Sequence, residues 1–73
     1  MKRIEYKLVS SIANGISEVY IDKEELKNRI NYITMNKEMF KSNRMIYVYE
    51  YVYNENDKIV YDRTLQVIDL REI

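Results

Sequence analysis

Between residues 47 and 53 every second side chain is a tyrosine: Tyr47, Tyr49, Tyr51 and Tyr53. Successive side chains of an extended chain point to opposite faces, so this period of two lines the four rings along one side of a single strand. Such a row binds rather than reacts. A tyrosine offers a flat apolar face, one hydroxyl and few rotatable bonds, which suits it to protein interfaces, and the same faces can stack unpaired nucleic-acid bases.

The groups that run most catalytic centres are missing. The chain has no histidine and no cysteine, which removes the usual base near neutral pH, the thiol nucleophile, disulfides, and the nitrogen and sulfur ligands of structural zinc. Ser10, Ser11, Ser17 and Ser42 stand outside any G-x-S-x-G context and read as strand and turn residues. Gly15 is the only glycine, so a phosphate-cradling loop of either common type cannot be assembled. Carboxylate pairs such as Glu24 with Glu25, or Glu18 with Glu50, would need a desolvating cleft, and 73 residues leave little room for one. The oxygen-rich run Asn54-Glu55-Asn56-Asp57 lacks the glycine and distal glutamate of a calcium loop and reads as a polar turn. The expectation is a protein that is not an enzyme, with no catalytic residue, metal or cofactor.

Local patterns predict the elements that hold the tyrosines. Asn14-Gly15 is the pair that accepts positive φ at both centres of a two-residue hairpin turn. Folding about it sets Ser10 against Val19 and Leu8 against Ile21. One face then carries Ile4, Tyr6, Leu8, Ile12, Val19 and Ile21, and the other Arg3, Glu5, Lys7, Val9, Ser11, Glu18 and Tyr20. Asp22 follows as a helix N-cap, with Glu25 completing a capping box and Ile21 and Leu26 placed as a hydrophobic staple. The apolar stripe Leu26, Ile30, Ile33 and Phe40 predicts a helix over residues 23–40, with Asn36 and Ser42-Asn43 as candidate stops.

From Arg44 the period changes to two, so Ile46, Val48, Glu50 and Val52 face opposite to the tyrosines. A second hairpin turns through residues 54–57. With Asn56-Asp57 as a two-residue turn, Glu50 meets Arg63, Val48 meets Leu65, Ile46 meets Val67 and Val52 meets Tyr61. This register groups the aliphatics and makes Glu50 and Arg63 a structural ion pair. The crossover through the helix returns the third strand parallel to the second, and the simplest antiparallel sheet then has the order 2-1-3-4. The expected fold class is α+β with ββαββ topology. Two β-hairpins form a four-stranded antiparallel sheet with one helix packed on one face, all in a single domain. Its parts are hairpin 2–21, helix 23–40, hairpin 44–68 and a short tail 69–73.

A lone helix covers one face of such a sheet. The other presents Tyr47, Tyr49, Tyr51 and Tyr53, with Tyr20 and Val9 beside them, and these six are the candidate partner-binding residues. Three uses are open to them: stiffening the sheet, docking a protein, or stacking single-stranded nucleic acid with Arg3, Lys7, Lys37, Lys41 and Arg44 on its phosphates. Charge separates the last two. Twelve basic and twelve acidic side chains cancel, and the strands offer Arg3, Lys7 and Lys58 against Glu5, Glu18 and Asp62, so no basic groove accompanies the rings. A protein partner is the better fit. Self-association is included, because a core this small rarely supplies more than about 3–5 kcal/mol without a second subunit, a disulfide or a metal.

No stretch approaches the roughly 20 apolar residues of a membrane span, and the first residues lack the apolar run of a signal peptide. A cytoplasmic setting is expected, with no membrane partner and no small-molecule substrate. Abundant Lys, Asn, Ile and Tyr with no Pro is what an AT-rich coding sequence produces. It points to a low-GC bacterium or its phages and other mobile elements, and so to a small regulatory or accessory protein.

Overall fold

The structure is a computed structural model that describes residues 3–71; Lys2 of the expected first hairpin and residues 72–73 of the expected tail lie outside them. The elements follow the order β1 (Arg3–Ser10), β2 (Ser17–Tyr20), α1 (Lys23–Met35), α2 (Lys37–Phe40), β3 (Met45–Tyr53) and β4 (Ile59–Asp69). The strands form one antiparallel sheet of order β2-β1-β3-β4, with the helical segment packed on one side. This is the α+β, ββαββ arrangement that the patterns imply. Among the described residues no helix is long and apolar enough to cross a membrane.

The core is the seam between α1 and the sheet. Leu26 and Ile33 of the helix stripe meet Tyr6 and Leu8 of β1, Ile46 and Val48 of β3, and Ile68 and Leu70 at the end of the chain's last strand. Ile30 and Phe40 pack against its margin. Asp22 caps α1 by accepting from the Glu24 N–H at 2.8 Å, and Glu24 and Glu25 place negative charge at the positive end of the helix. Ile21 is 72% exposed, so the hydrophobic staple does not form.

The expected continuous helix is two pieces. Asn36 closes α1, its side-chain amide donating to the Tyr32 carbonyl at 2.7 Å, and the chain resumes as the four-residue α2 and a 3₁₀ turn, Lys41–Asn43. Asparagine competes well for nearby carbonyls, which is why it ends helices that a continuous apolar stripe would prolong.

The first hairpin departs from the two-residue turn. Tyr6 pairs with Tyr20, Lys7 with Val19, Leu8 with Glu18 and Val9 with Ser17. The strands are joined by a wide loop over residues 11–16, which closes a turn of its own through the Gly15 N–H on the Ile12 carbonyl at 3.4 Å and is held from outside by Asn43. The Asn43 side-chain oxygen accepts from the Ile16 N–H at 2.9 Å, and its backbone carbonyl accepts from the hydroxyls of Ser10 and Ser11. Asn14 has φ 64° as the turn signal implies, whereas Gly15 has no positive φ. Gly15 is required for space: a Cβ there would lie 2.5 Å from Ser10 Cβ and 2.6 Å from Asn43 Oδ1. The register differs from the expected one by an odd number of residues, so β2 is turned over. Glu18 and Tyr20 lie on the helix side, and Val19 lies on the open side.

The second hairpin keeps its central register and loses both ends of it. Asp57, at φ 60°, follows a turn closed by its N–H on the Asn54 carbonyl at 3.1 Å, and Asn54 pairs with Lys58, so the loop has three residues, 55–57. Shifts at Val52/Tyr53 and at Val48/Tyr49 absorb one extra residue each, Val60 and Leu65, both on β4. Glu50 therefore meets Arg63 and Val52 meets Tyr61 as expected, but Ile46 meets Ile68 and Val48 meets Gln66. Ile68 and Leu70, rather than Val67, fill the core; what reads as the start of a tail is strand at Asp69 and fully buried at Leu70.

Replacing Gly15 by Ala should lower stability by about 1–3 kcal/mol, because neither neighbour is the free end of a long side chain. Urea unfolding reads this as a lower midpoint at unchanged slope. An unaltered midpoint would show that the loop does not pack against Asn43.

Candidate functional site

The side of the sheet opposite α1 is organised around β3. Its tyrosines stand in four cross-strand rows with β1 and β4: Arg3–Tyr53–Ile59, Glu5–Tyr51–Asp62, Lys7–Tyr49–Thr64 and Val9–Tyr47–Val67. The rings are ordered against one another. Tyr47 and Tyr49 stack with centroids 6.2 Å apart and planes 10° from parallel, and Tyr49 and Tyr51 lie 6.2 Å apart at 54°. Each ring is half-buried by these neighbours.

Cations complete the margin on the β1 side. The Arg3 guanidinium lies 4.4 Å from the Tyr53 centroid and the Lys7 ammonium 5.3 Å from that of Tyr51. Arg3 is further fixed by Glu5 at 3.2 Å and by Asp57 of the second hairpin loop at 2.7 Å. Between β3 and β4 a shallow cleft of ≈ 150 Å³ is lined by Tyr49, Tyr51, Asp62, Arg63 and Thr64.

Of the six candidate residues, Tyr47, Tyr49, Tyr51, Tyr53 and Val9 share this face. Tyr20 does not. The turned-over β2 sends it to the helix side, where it packs against the core and its hydroxyl donates to Glu18 at 2.6 Å. Val67 and Ile59 take part instead, at 48% and 50% exposure. The bulge at Leu65 brings Val67 to the open face, and local pattern carries no signal for that shift. Glu50 and Arg63 pair on the other side at 2.9 Å, with Glu50 buried and Arg63 half in solvent. Lys37, Lys41 and Arg44 belong to α2 and the connection into β3, not to the strands that carry the rings.

The helix side holds a charged cluster that the expected register conceals. Arg29 of α1 grips Glu18 through two bonds of 3.0 Å, one from Nε and one from Nη2. Its guanidinium also lies 5.4 Å from the Tyr32 ring and 5.3 Å from the Phe40 ring, which meet edge to face. Burial pushes the Glu18 carboxyl up, but the hydrogen bonds from Arg29 and Tyr20 outweigh it and leave the group below its ordinary value. Burial and the bond to Glu18 push the Tyr20 phenol up, and the bond to Glu18 raises Arg29 further. The cluster ties α1 to β2 and leaves the open face to the tyrosines. No protein-family model, curated protein or solved structure matches the chain.

Because the folded Glu18 is more acidic than the unfolded one, its contribution is fully present above 4.5, the ordinary value, and is lost as pH falls through the folded value. Glu18→Gln should therefore cost about 1–2 kcal/mol at neutral pH. Urea midpoints of wild type and variant should converge on acidification; a gap that persists down to pH ~2 would contradict the assignment.

Proposed function

We propose that this chain is a non-catalytic protein-binding module whose docking surface is the open sheet face centred on Tyr47, Tyr49, Tyr51 and Tyr53. The observation that carries the reading is a set of ring contacts formed before any partner arrives, on a side of the sheet that no described helix covers. Rings already held by their neighbours lose little freedom on docking, so more of their contact energy is realised as affinity. The rim mixes both signs, with Arg3, Glu5 and Lys7 along β1 and Asp62 and Thr64 along β4, as in protein interfaces with an aromatic centre and polar edge.

Stacking of single-stranded nucleic acid is the alternative, and it is less well supported. Arg3 is occupied by Glu5 and Asp57 and rests on Tyr53, while Lys7 rests on Tyr51, so the two cations nearest the rings are already engaged within the chain and form no groove for phosphates. On size, composition and this surface, the partner we infer is either a second copy of the chain or a host factor that a cytoplasmic accessory protein, of phage or mobile-element origin, regulates by occupying one of its surfaces.

Affinity capture from a host extract, run beside a salt series with a random oligonucleotide, tests the reading. Tyr49→Ala with Tyr51→Ala should release a captured protein, each ring being worth on the order of 1–2 kcal/mol, and the oligonucleotide should not bind at ~150 mM salt. Partners retained by the double variant would remove the proposed face. Salt-dependent oligonucleotide binding that requires the tyrosines would favour the alternative.

A further inference from the structure

The rows on the open face have an internal symmetry. Along β1 the charges run Arg3, Glu5, Lys7, with Val9 last, and the β4 side runs Ile59, Asp62, Thr64, Val67. A two-fold axis lying in the plane of the face, across the strands and between the second and third rows, exchanges the first row with the fourth and the second with the third. Glu5 of one copy then faces Lys7 of the other, twice. Tyr51 covers Tyr49, Tyr53 covers Tyr47, and the Asp62 carboxylate meets the Thr64 hydroxyl. Ile59 covers Val67, and these two side chains are about equally exposed in the single chain, at 50% and 48%.

We propose that the occupant of this face is a second copy of the chain, packed face to face across that axis. The proposal rests on the reading of the open face as a docking surface and names its partner. Symmetric dimers require a patch complementary to itself, and this one places opposite charges, rings and aliphatics against each other in all but the Arg3–Val9 position. A two-fold with its axis along the strands instead lays β1 over β4 and sets Glu5 against Asp62 twice, within the second row. Like charges brought together in an interface oppose association, so charge favours the crosswise axis over the lengthwise one.

The size of the face sets the strength. Nine residues of β3 span about 30 Å and the neighbouring strands about 15–20 Å across, giving roughly 500 Å² on each copy. A buried total near ~1,000 Å² stands at the lower limit for a specific interface, so the dimer is concentration-dependent rather than permanent.

Analytical ultracentrifugation of the full chain across a concentration series to ~1 mM tests this, with circular dichroism to verify that each variant folds. Wild type should dimerise. Glu5→Lys or Lys7→Glu alone sets like charges against each other at both pairs and should weaken the dimer ~10-fold or more, and the two together should restore it. Lys7→Glu keeps the Arg3–Glu5 contact but removes the Lys7–Tyr51 one, so recovery in the double reversal is the result that separates charge pairing from local damage to β1. A strict monomer throughout, or a dimer indifferent to both reversals, would overturn the packing. A dimer lost in the Tyr49→Ala, Tyr51→Ala variant but indifferent to charge reversal overturns this packing and leaves the docking face standing. A dimer indifferent to the tyrosine changes overturns this packing too, and leaves the docking face to the capture experiment.

Discussion

A single short helix can shield only one side of four strands, and the rest of this structure follows from which side it takes. Leu26 and Ile33 sit on one stripe of α1 and draw to themselves the apolar side of β1 and β3, where Leu8, Ile46 and Val48 are fully buried. The tyrosines occupy the alternate positions of β3, so the same burial that forms the core turns them outward. Length adds a further constraint. Thirteen residues of helix reach about 20 Å and nine residues of strand about 30 Å, so the tip of the second hairpin projects beyond the helix. Ile4 and Tyr61, which alternation assigns to the core side, are consequently 42% and 52% exposed.

Two polar clusters decide how the helix is held. Asn43 draws the first hairpin loop and the start of β3 together, and Glu18 with Arg29 fastens β2 to α1. Both join residues far apart in sequence, so neither is specified by a neighbouring pattern. Both are also saturated: among the described residues no buried side-chain polar atom lacks a hydrogen bond. Glu18 and Arg29 are thereby used in holding the fold, Glu50 is taken up by Arg63, and the β3 tyrosines are left on the opposite side.

The sequence made legible whatever depends on period. The alternation of β3, the stripe of α1, the Asp22 cap, the strand order and the Glu50–Arg63 pair all follow from local spacing, together with the rule that one buried face fixes register. What was hidden depends on tertiary competition. Asn14-Gly15 has the composition of a tight turn, but the hydrogen bonds that Asn43 offers stabilise a wider loop, and the resulting shift moves Tyr20 away from the tyrosine face. The Leu65 bulge is similar in kind. It lets Ile68 and Leu70 reach the core and sends Val67 to the open face, and nothing in Arg63-Thr64-Leu65-Gln66 announces an extra residue. Four of the five tyrosine and valine positions retained in the candidate site lie on β3 itself, where alternation alone is sufficient.

The claim beneath this account is that the β3 rings face solvent while Tyr6, on the same sheet, is sealed under the helix. Hydroxyl-radical footprinting of the dilute chain, read by mass spectrometry for each tyrosine, measures that difference directly. The account predicts rapid modification of Tyr49 and Tyr51 and protection of Tyr6 until the chain unfolds; ladder tyrosines as protected as Tyr6 at the lowest concentration would contradict it.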